Sequence, residues 1–376
     1  MGVAKVGYWV ACVLATSGCS GKVSPEGGAS GASNTAAAGT SSAAGGSVAG
    51  ATAATGGAPE THAGGAAGSP AGGAPVAIDV DVNLVAASPG CTKPLPAGQQ
   101  RGMYSKYTAV VSGRTLDTEF SVMPHERSYF VWLPQDYEEQ RAYRTTFLFM
   151  GCGDRYAAAT ATYQLMKEDP ESIYVAMNMP PTGLPPAGKD CYDNTIGKQS
   201  VEWEFMGLVA SSVQKNFCVD ENRLFVAGYS SGAWVTNMFG CYFAGHDPGR
   251  QFGPDVSVRG QLSVTGGPVL PDVPCGGKVA ALWIHDTDDQ EQVIGGNAAI
   301  SLPRVLEANG CTGGVAGNTT LWQSAVGGVD SCKRYVDCPA QYPVVFCTTS
   351  GRGHSAQNDV ALPRFIQFQN LLNPTP

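Results

Sequence analysis

The stretch Gly228-Tyr229-Ser230-Ser231-Gly232 constrains this 376-residue chain more than any other. The apolar run Arg223 to Ala227 before it reads as a strand, and Ala233 to Phe243 after it reads as a helix. A backbone that turns from strand to helix so abruptly needs small residues on both sides of the tip. The residue at the tip is then held in a strained conformation with its side chain outward. Ser230 therefore reads as an exposed nucleophile. Gly-x-Ser-x-Gly arises by chance in a chain with 49 glycines, so the weight lies on the flanking elements and on the acid and histidine candidates downstream.

A serine hydroxyl is a poor nucleophile at neutral pH and needs a base, which in turn needs an acceptor to fix its tautomer. Behind an elbow of this kind the order along the chain is serine, acid, histidine. His125 precedes the serine, His246 lies at the end of the helix after it, and His285 sits in a strand end. His354, in Ser350-Gly351-Arg352-Gly353-His354-Ser355 after the last strand-like run, satisfies the order. The acid must come from His285-Asp286-Thr287-Asp288-Asp289, and the chemistry of the residues does not separate the three aspartates.

Outside this core, residues 1–19 read as an export signal, with Lys5, a short apolar run from Val6 to Leu14 and small residues leading to Gly18-Cys19. A small-residue run ending in cysteine resembles a bacterial lipoprotein processing site, so Cys19 is expected to carry lipid and to hold the protein at the cell surface. Thr16 stands where that motif usually carries leucine, and ordinary signal cleavage further along, with release outside the cell, is the alternative. Residues 20–77 are almost wholly Gly, Ala, Ser, Thr and Pro and bury too little apolar surface to offset the entropy of ordering. They read as a disordered linker. The catalytic domain is expected over 88–376.

The net charge of −8, with few and scattered basic residues, excludes nucleic acid as a natural partner. Of twelve cysteines, Cys12 and Cys19 fall in the signal, which leaves ten, enough for up to five disulfides in an exported protein. There is no Cys-x-x-Cys pair and no helical histidine pair at ligand spacing, so neither a metal nor a cofactor is expected. Oligomeric state is not legible.

Along the domain, Tyr107 to Val111 and Arg127 to Leu133 read as a leading antiparallel pair. Thr145 to Met150, Ser172 to Met177, Arg223 to Ala227, Val258 to Thr265, Val279 to His285 and Val344 to Thr348 read as strands, several of them continuous apolar runs of the kind buried on both faces. Helices are expected over Ser200 to Asn216, after Ser231, near Ala298 to Asn309 and over Leu362 to Leu372. The alternation predicts an α/β fold with a mostly parallel sheet, helices on both faces and right-handed crossovers. Reactive groups then gather beyond the carboxyl ends of the strands.

Several stretches resemble the exported esterases that include feruloyl esterases and polyhydroxybutyrate depolymerases, from about Cys91 to the C-terminus. They are Gly90-Cys91-Thr92-Lys93, Arg127-Ser128-Tyr129 leading into Leu133-Pro134-x-x-Tyr137, Phe217-Cys218-Val219-Asp220-x-x-Arg223, the elbow itself, His285-x-Thr287-x-Asp289, Asn309-Gly310-Cys311, and Pro343-Val344-x-Phe346-Cys347 leading to Gly353-His354. The resemblance implies an α/β-hydrolase fold, an ester on plant cell-wall polysaccharide as substrate, and Asp289 as the acid with Asp288 as runner-up. Oxyanion donors are expected from the backbone N–H of Ser231 and from the Gly151-Cys152 turn, with Cys152 as the donor. Two departures stand out: Met150 occupies a position that usually holds histidine, and Asp286 one that often holds glycine. Trp203 and Trp234 are candidates for a pocket around an aromatic acyl group. Two rival readings remain, a polyhydroxyalkanoate depolymerase or esterase, and a surface binding protein that keeps the fold without the chemistry.

Overall fold

The computed structural model describes residues 81–112, 125–153, 164–179, 191–192, 199–268, 275–292, 294, 297–322 and 330–373. The expected export signal, Cys19 and the expected linker to residue 77 lie outside the described residues.

Among the described residues one sheet of ten strands dominates. They are β1 (Tyr104–Val111), β2 (His125–Trp132), β3 (Tyr143–Phe149), β4 (Ile173–Met177), β5 (Val219–Tyr229), β6 (Val258–Val264), β7 (Ala280–Asp286), β8 (Thr319–Leu321), β9 (Ser331–Tyr335) and β10 (Val344–Thr349). The order is β1-β2-β4-β3-β5-β6-β7-β10-β9-β8. From β4 to β10 every neighbouring pair is parallel, whereas β1-β2-β4 and β10-β9-β8 pair antiparallel.

The apolar runs of β3, β4, β6 and β7 are buried at every position, because helices cover the sheet on both sides. Side chains alternate between two cores. Phe147, Phe149, Val226, Ala281 and Trp283 pack on one face with Val201, Phe205, Val209 and Val213 of α1 (Gln199–Asn216), Val235, Met238 and Phe239 of α2 (Ser231–Tyr242), and Val305 of α3 (Leu302–Asn309). Leu148, Phe225, Ala227, Leu282 and Ile284 pack on the other with Ala361, Leu362, Phe365 and Phe368 of α4 (Asn358–Asn370). Each large apolar side chain sealed this way is worth about 1.5–3 kcal/mol over its exposed state. This is the α/β-hydrolase fold the resemblance implied.

Disulfides join Cys91–Cys218, Cys152–Cys191, Cys241–Cys275, Cys311–Cys338 and Cys332–Cys347, so all ten cysteines of the domain are paired. The first fastens the lead-in segment, where the Ser88 N–H donates to Val219 and that of Gly90 to Gln214. The last joins β9 to β10, directly ahead of His354.

The structure differs from the sequence expectation at the far edge of the sheet. Apolar patterning does not predict β8 and β9: Thr319–Leu321 is exposed throughout and Ser331–Tyr335 carries Lys333 and Arg334. β5 begins at Val219 rather than Arg223, because Val219 pairs with Tyr143 and Asp220 bridges Ala87.

Candidate functional site

At the carboxyl end of β5 the chain enters α2 with no intervening loop, and Ser230 stands at the junction with φ 54° and ψ −120°. A residue with a Cβ adopts this conformation only when its surroundings impose it. Here they do. A Cβ on Gly228 would lie 2.4 Å from the carbonyl oxygen of Gly232, and one on Gly232 would lie 2.2 Å from that of Phe149. The glycines thus let α2 press its first turn against β3 and β5. The Ser230 N–H donates to Val264 on β6 at 3.1 Å, while its carbonyl accepts from Ala233 and Trp234.

β7 and β10 are neighbours, in register from Val344 against Ala281 to Thr349 against Asp286. The loops that leave them therefore emerge side by side. The His354 loop turns through Gly351 and Gly353 at φ 72° and 56°, backbone conformations that favour glycine. His354 reaches the serine, with Nε2 2.8 Å from Ser230 Oγ, and the acid, with Nδ1 2.9 Å from Asp289 Oδ2. An ionised carboxylate only accepts, so Nδ1 carries the proton and Nε2 accepts from the serine hydroxyl. The imidazole is further placed by Tyr229, whose hydroxyl donates to the His354 carbonyl and whose ring lies 5.3 Å from it.

Asp289 is 3% exposed, and its second oxygen accepts the N–H groups of Glu291 and Gln292, both at 2.9 Å. Asp288 faces elsewhere and accepts the Gly351 N–H at 2.7 Å. Of the three aspartates, then, the structure brings Asp289 to the imidazole.

Asp286 and His285 lie beneath, both fully buried. Burial pushes the Asp286 carboxyl up. Its hydrogen bonds outweigh that: the N–H of Asp288, the hydroxyl of Thr349 and the N–H of Arg352 and Gly353 leave it below the ordinary 3.8. His285 is lowered from 6.5 by burial, against the opposing pull of the Gln292 carbonyl and Asp289. Its Nε2 lies 2.6 Å from Gln292 O and its Nδ1 3.2 Å from Asn297 Nδ2, so its neutral form is fixed at both nitrogens. Sequence reasoning offered Asp286 only as one of three aspartates that could be the acid and set His285 aside as a strand-end residue; neither was expected to brace the loops.

Gly151 closes on the serine from β3. A Cβ there would come within 2.7 Å of the Tyr229 ring and 3.2 Å of Ser230 Cβ. Cys152 comes next, exposed and bridged to Cys191. Ser231 is the first residue of α2, whose leading N–H groups have no intrahelical acceptor, and its hydroxyl lies 3.5 Å from the Met150 carbonyl. Met150 itself packs into the core at 6% exposure.

The two tryptophans part company. Trp234, half-buried one turn into α2, rests against Gly267 and donates its indole N–H to Gln292 Oε1 at 3.0 Å, which ties it to the acid loop. Trp203 is not brought to the site. It is 3% exposed and stacks on Tyr242 at 4.2 Å and 4°, so the expectation that it lines a substrate pocket is corrected to a core role.

With this geometry in view, sequence comparison adds a relative. The chain is 26% identical over 166 residues to feruloyl esterase B of Piromyces equi, a match that takes in 40% of this chain and 28% of that protein. It resembles an esterase. The chain thus spans little more than a quarter of the curated relative it matches. No protein-family model matches the chain. Among solved structures, a CE1 ferulic acid esterase from Anaeromyces mucronatus superposes with a TM-score of 0.45 at 12% identity, over 75% of this chain and 94% of that one. Esterase PE8 superposes with a TM-score of 0.43 at 15% identity, over 62% and 95%.

Proposed function

We propose that the protein is an exported serine carboxylic-ester hydrolase that releases feruloyl or acetyl groups from plant cell-wall polysaccharide. The observation that carries the chemistry is the continuous relay Ser230–His354–Asp289 on a strained strand-to-helix elbow. The 26% identity to feruloyl esterase B supports the choice of substrate class. The five disulfides support a compartment outside the reducing cytosol, and the Val6 to Cys19 pattern supports a lipid anchor at Cys19.

In this mechanism Ser230 Oγ attacks the ester carbonyl carbon as its proton passes to His354 Nε2. Asp289 holds the Nδ1 proton and stabilises the imidazolium. Negative charge collects on the carbonyl oxygen, where the N–H groups of Ser231 and Cys152 are the proposed donors, the first favoured by the positive end of α2. The C–O bond to the alcohol breaks, and Nε2 returns its proton to that oxygen. Water then attacks the acyl-serine by the same path and releases the acid. Trp234 is proposed to border the acyl group.

A fluorophosphonate probe tests the nucleophile: covalent labelling mapped to the peptide that holds Ser230 is expected, and an unlabelled protein would return the binding-protein reading. A panel of feruloyl, acetyl and hydroxybutyrate esters tests the substrate class, and preference for the last would favour the polyester. Intact mass of the mature protein tests the anchor; an N-terminus beyond Cys19 without lipid rules it out.

A further inference from the structure

The acid loop does more than hold Asp289. Two residues on, Glu291 donates its N–H to Asp289 Oδ1, so the turn that fixes the acid also fixes Glu291. Its carboxylate, 73% exposed, stands 3.9 Å from His354 Nε2, the nitrogen that faces Ser230 Oγ. A carboxylate therefore stands beside the nitrogen that an ester must approach to be attacked at Ser230. Around it, Asp286, Asp288 and Asp289 share the loop, and the nearby cation Arg352 is engaged in two hydrogen bonds with Asp359.

From this arrangement we infer that Glu291 is a specificity residue that selects for esters without a negative charge near the scissile bond. The inference rests on the hydrolase reading of the same site. An anionic group about 5 Å from Glu291 in water-like dielectric meets a repulsion equal to roughly a four-fold loss, larger where water is excluded and smaller where salt screens it. The same repulsion acts on the product, since every ester cleaved at Ser230 leaves a carboxylate there. Neutral acyl groups enter unopposed, and their acids are driven out.

The test compares two esters of equal length, neutral 4-nitrophenyl hexanoate and anionic 4-nitrophenyl hydrogen adipate, through the ratio of their kcat/KM values. In the wild type at low ionic strength the neutral ester is preferred. Glu291→Gln raises the anionic-to-neutral ratio by about four-fold, Glu291→Lys raises it further, and about 0.5 M salt shrinks both differences. A ratio that stays unchanged in both variants overturns the role of Glu291 while leaving the hydrolase intact. A wild type that cleaves neither ester overturns the hydrolase reading and this inference together.

Discussion

Asp286 and Thr349 face one another in register at the ends of β7 and β10, and the Thr349 hydroxyl donates to Asp286 Oδ2 at 2.9 Å. The same oxygen accepts the Arg352 N–H at 3.0 Å, and Gly351 donates to Asp288 on the adjoining turn. The loop that carries Asp289 and the loop that carries His354 are thus clasped to each other two residues before His354. Asp286 thus supplies the carboxylate on which the two loops close.

Loss of the proposed nucleophile should be selective. Ser230→Ala is expected to lower kcat by several orders of magnitude, leaving only binding and the oxyanion donors, while the thermal transition stays close to that of the wild type. Ester hydrolysis and a thermal melt on the same sample check it. Retention of most of the activity would move the chemistry away from the elbow.

The aspartates should separate by position. Asp289→Asn replaces the acceptor at Nδ1 with a group that can hold the wrong tautomer, and a loss on the order of 10³–10⁴ in kcat is expected. Asp288→Asn keeps an oxygen for Gly351 and should cost about ten-fold or less. Steady-state kinetics decide, and the reverse ranking would make Asp288 the acid.

Acid should loosen the clasp in a defined window. The folded Asp286 carboxyl lies below its ordinary 3.8, so the unfolded chain takes up its proton first as pH falls. Its contribution is fully present above that value and is lost as pH falls through the lower, folded one. His285 adds an earlier decline, because burial keeps it neutral in the fold while the unfolded chain protonates it below about 6.5. The gap in melting temperature between wild type and Asp286→Asn should hold from pH 7 to about pH 5 and narrow progressively below about pH 4. An equal gap at pH 3 and pH 7 would show that the charge on Asp286 is not what holds the loops.

The bridge between Cys332 and Cys347 should matter for both stability and rate. It closes a loop of 15 residues on the strand that leads to His354, and its removal should cost about 3 kcal/mol. The Cys332→Ala, Cys347→Ala double variant is expected to show that loss in denaturant unfolding, with lower activity at temperatures where the wild type is stable. Alkylation of the unreduced, denatured domain should find no free thiol; two or more would contradict the pairing.

Local signals in the chain determined a good deal by themselves. The elbow and the α/β alternation each depend on residues near in sequence, as backbone sterics around Gly228 and Gly232 or as apolar runs long enough to be buried on both faces, and the even complement of cysteines is a count that needs no fold. The candidate nucleophile and histidine were legible for the same reason, since the order of chemistry along the chain tracks the strand ends. What only the tertiary structure decided depends on groups far apart in the chain. The pairing of the cysteines, the choice of Trp234 over Trp203 as a neighbour of the acid loop, and the clasp of Asp286 on Arg352 are set by which strands lie side by side, and strand adjacency comes from packing the whole sheet. Glu291 shows the difference most plainly: in sequence it is one more acidic residue in a polar loop, and it meets His354 because β7 and β10 are hydrogen-bonded neighbours.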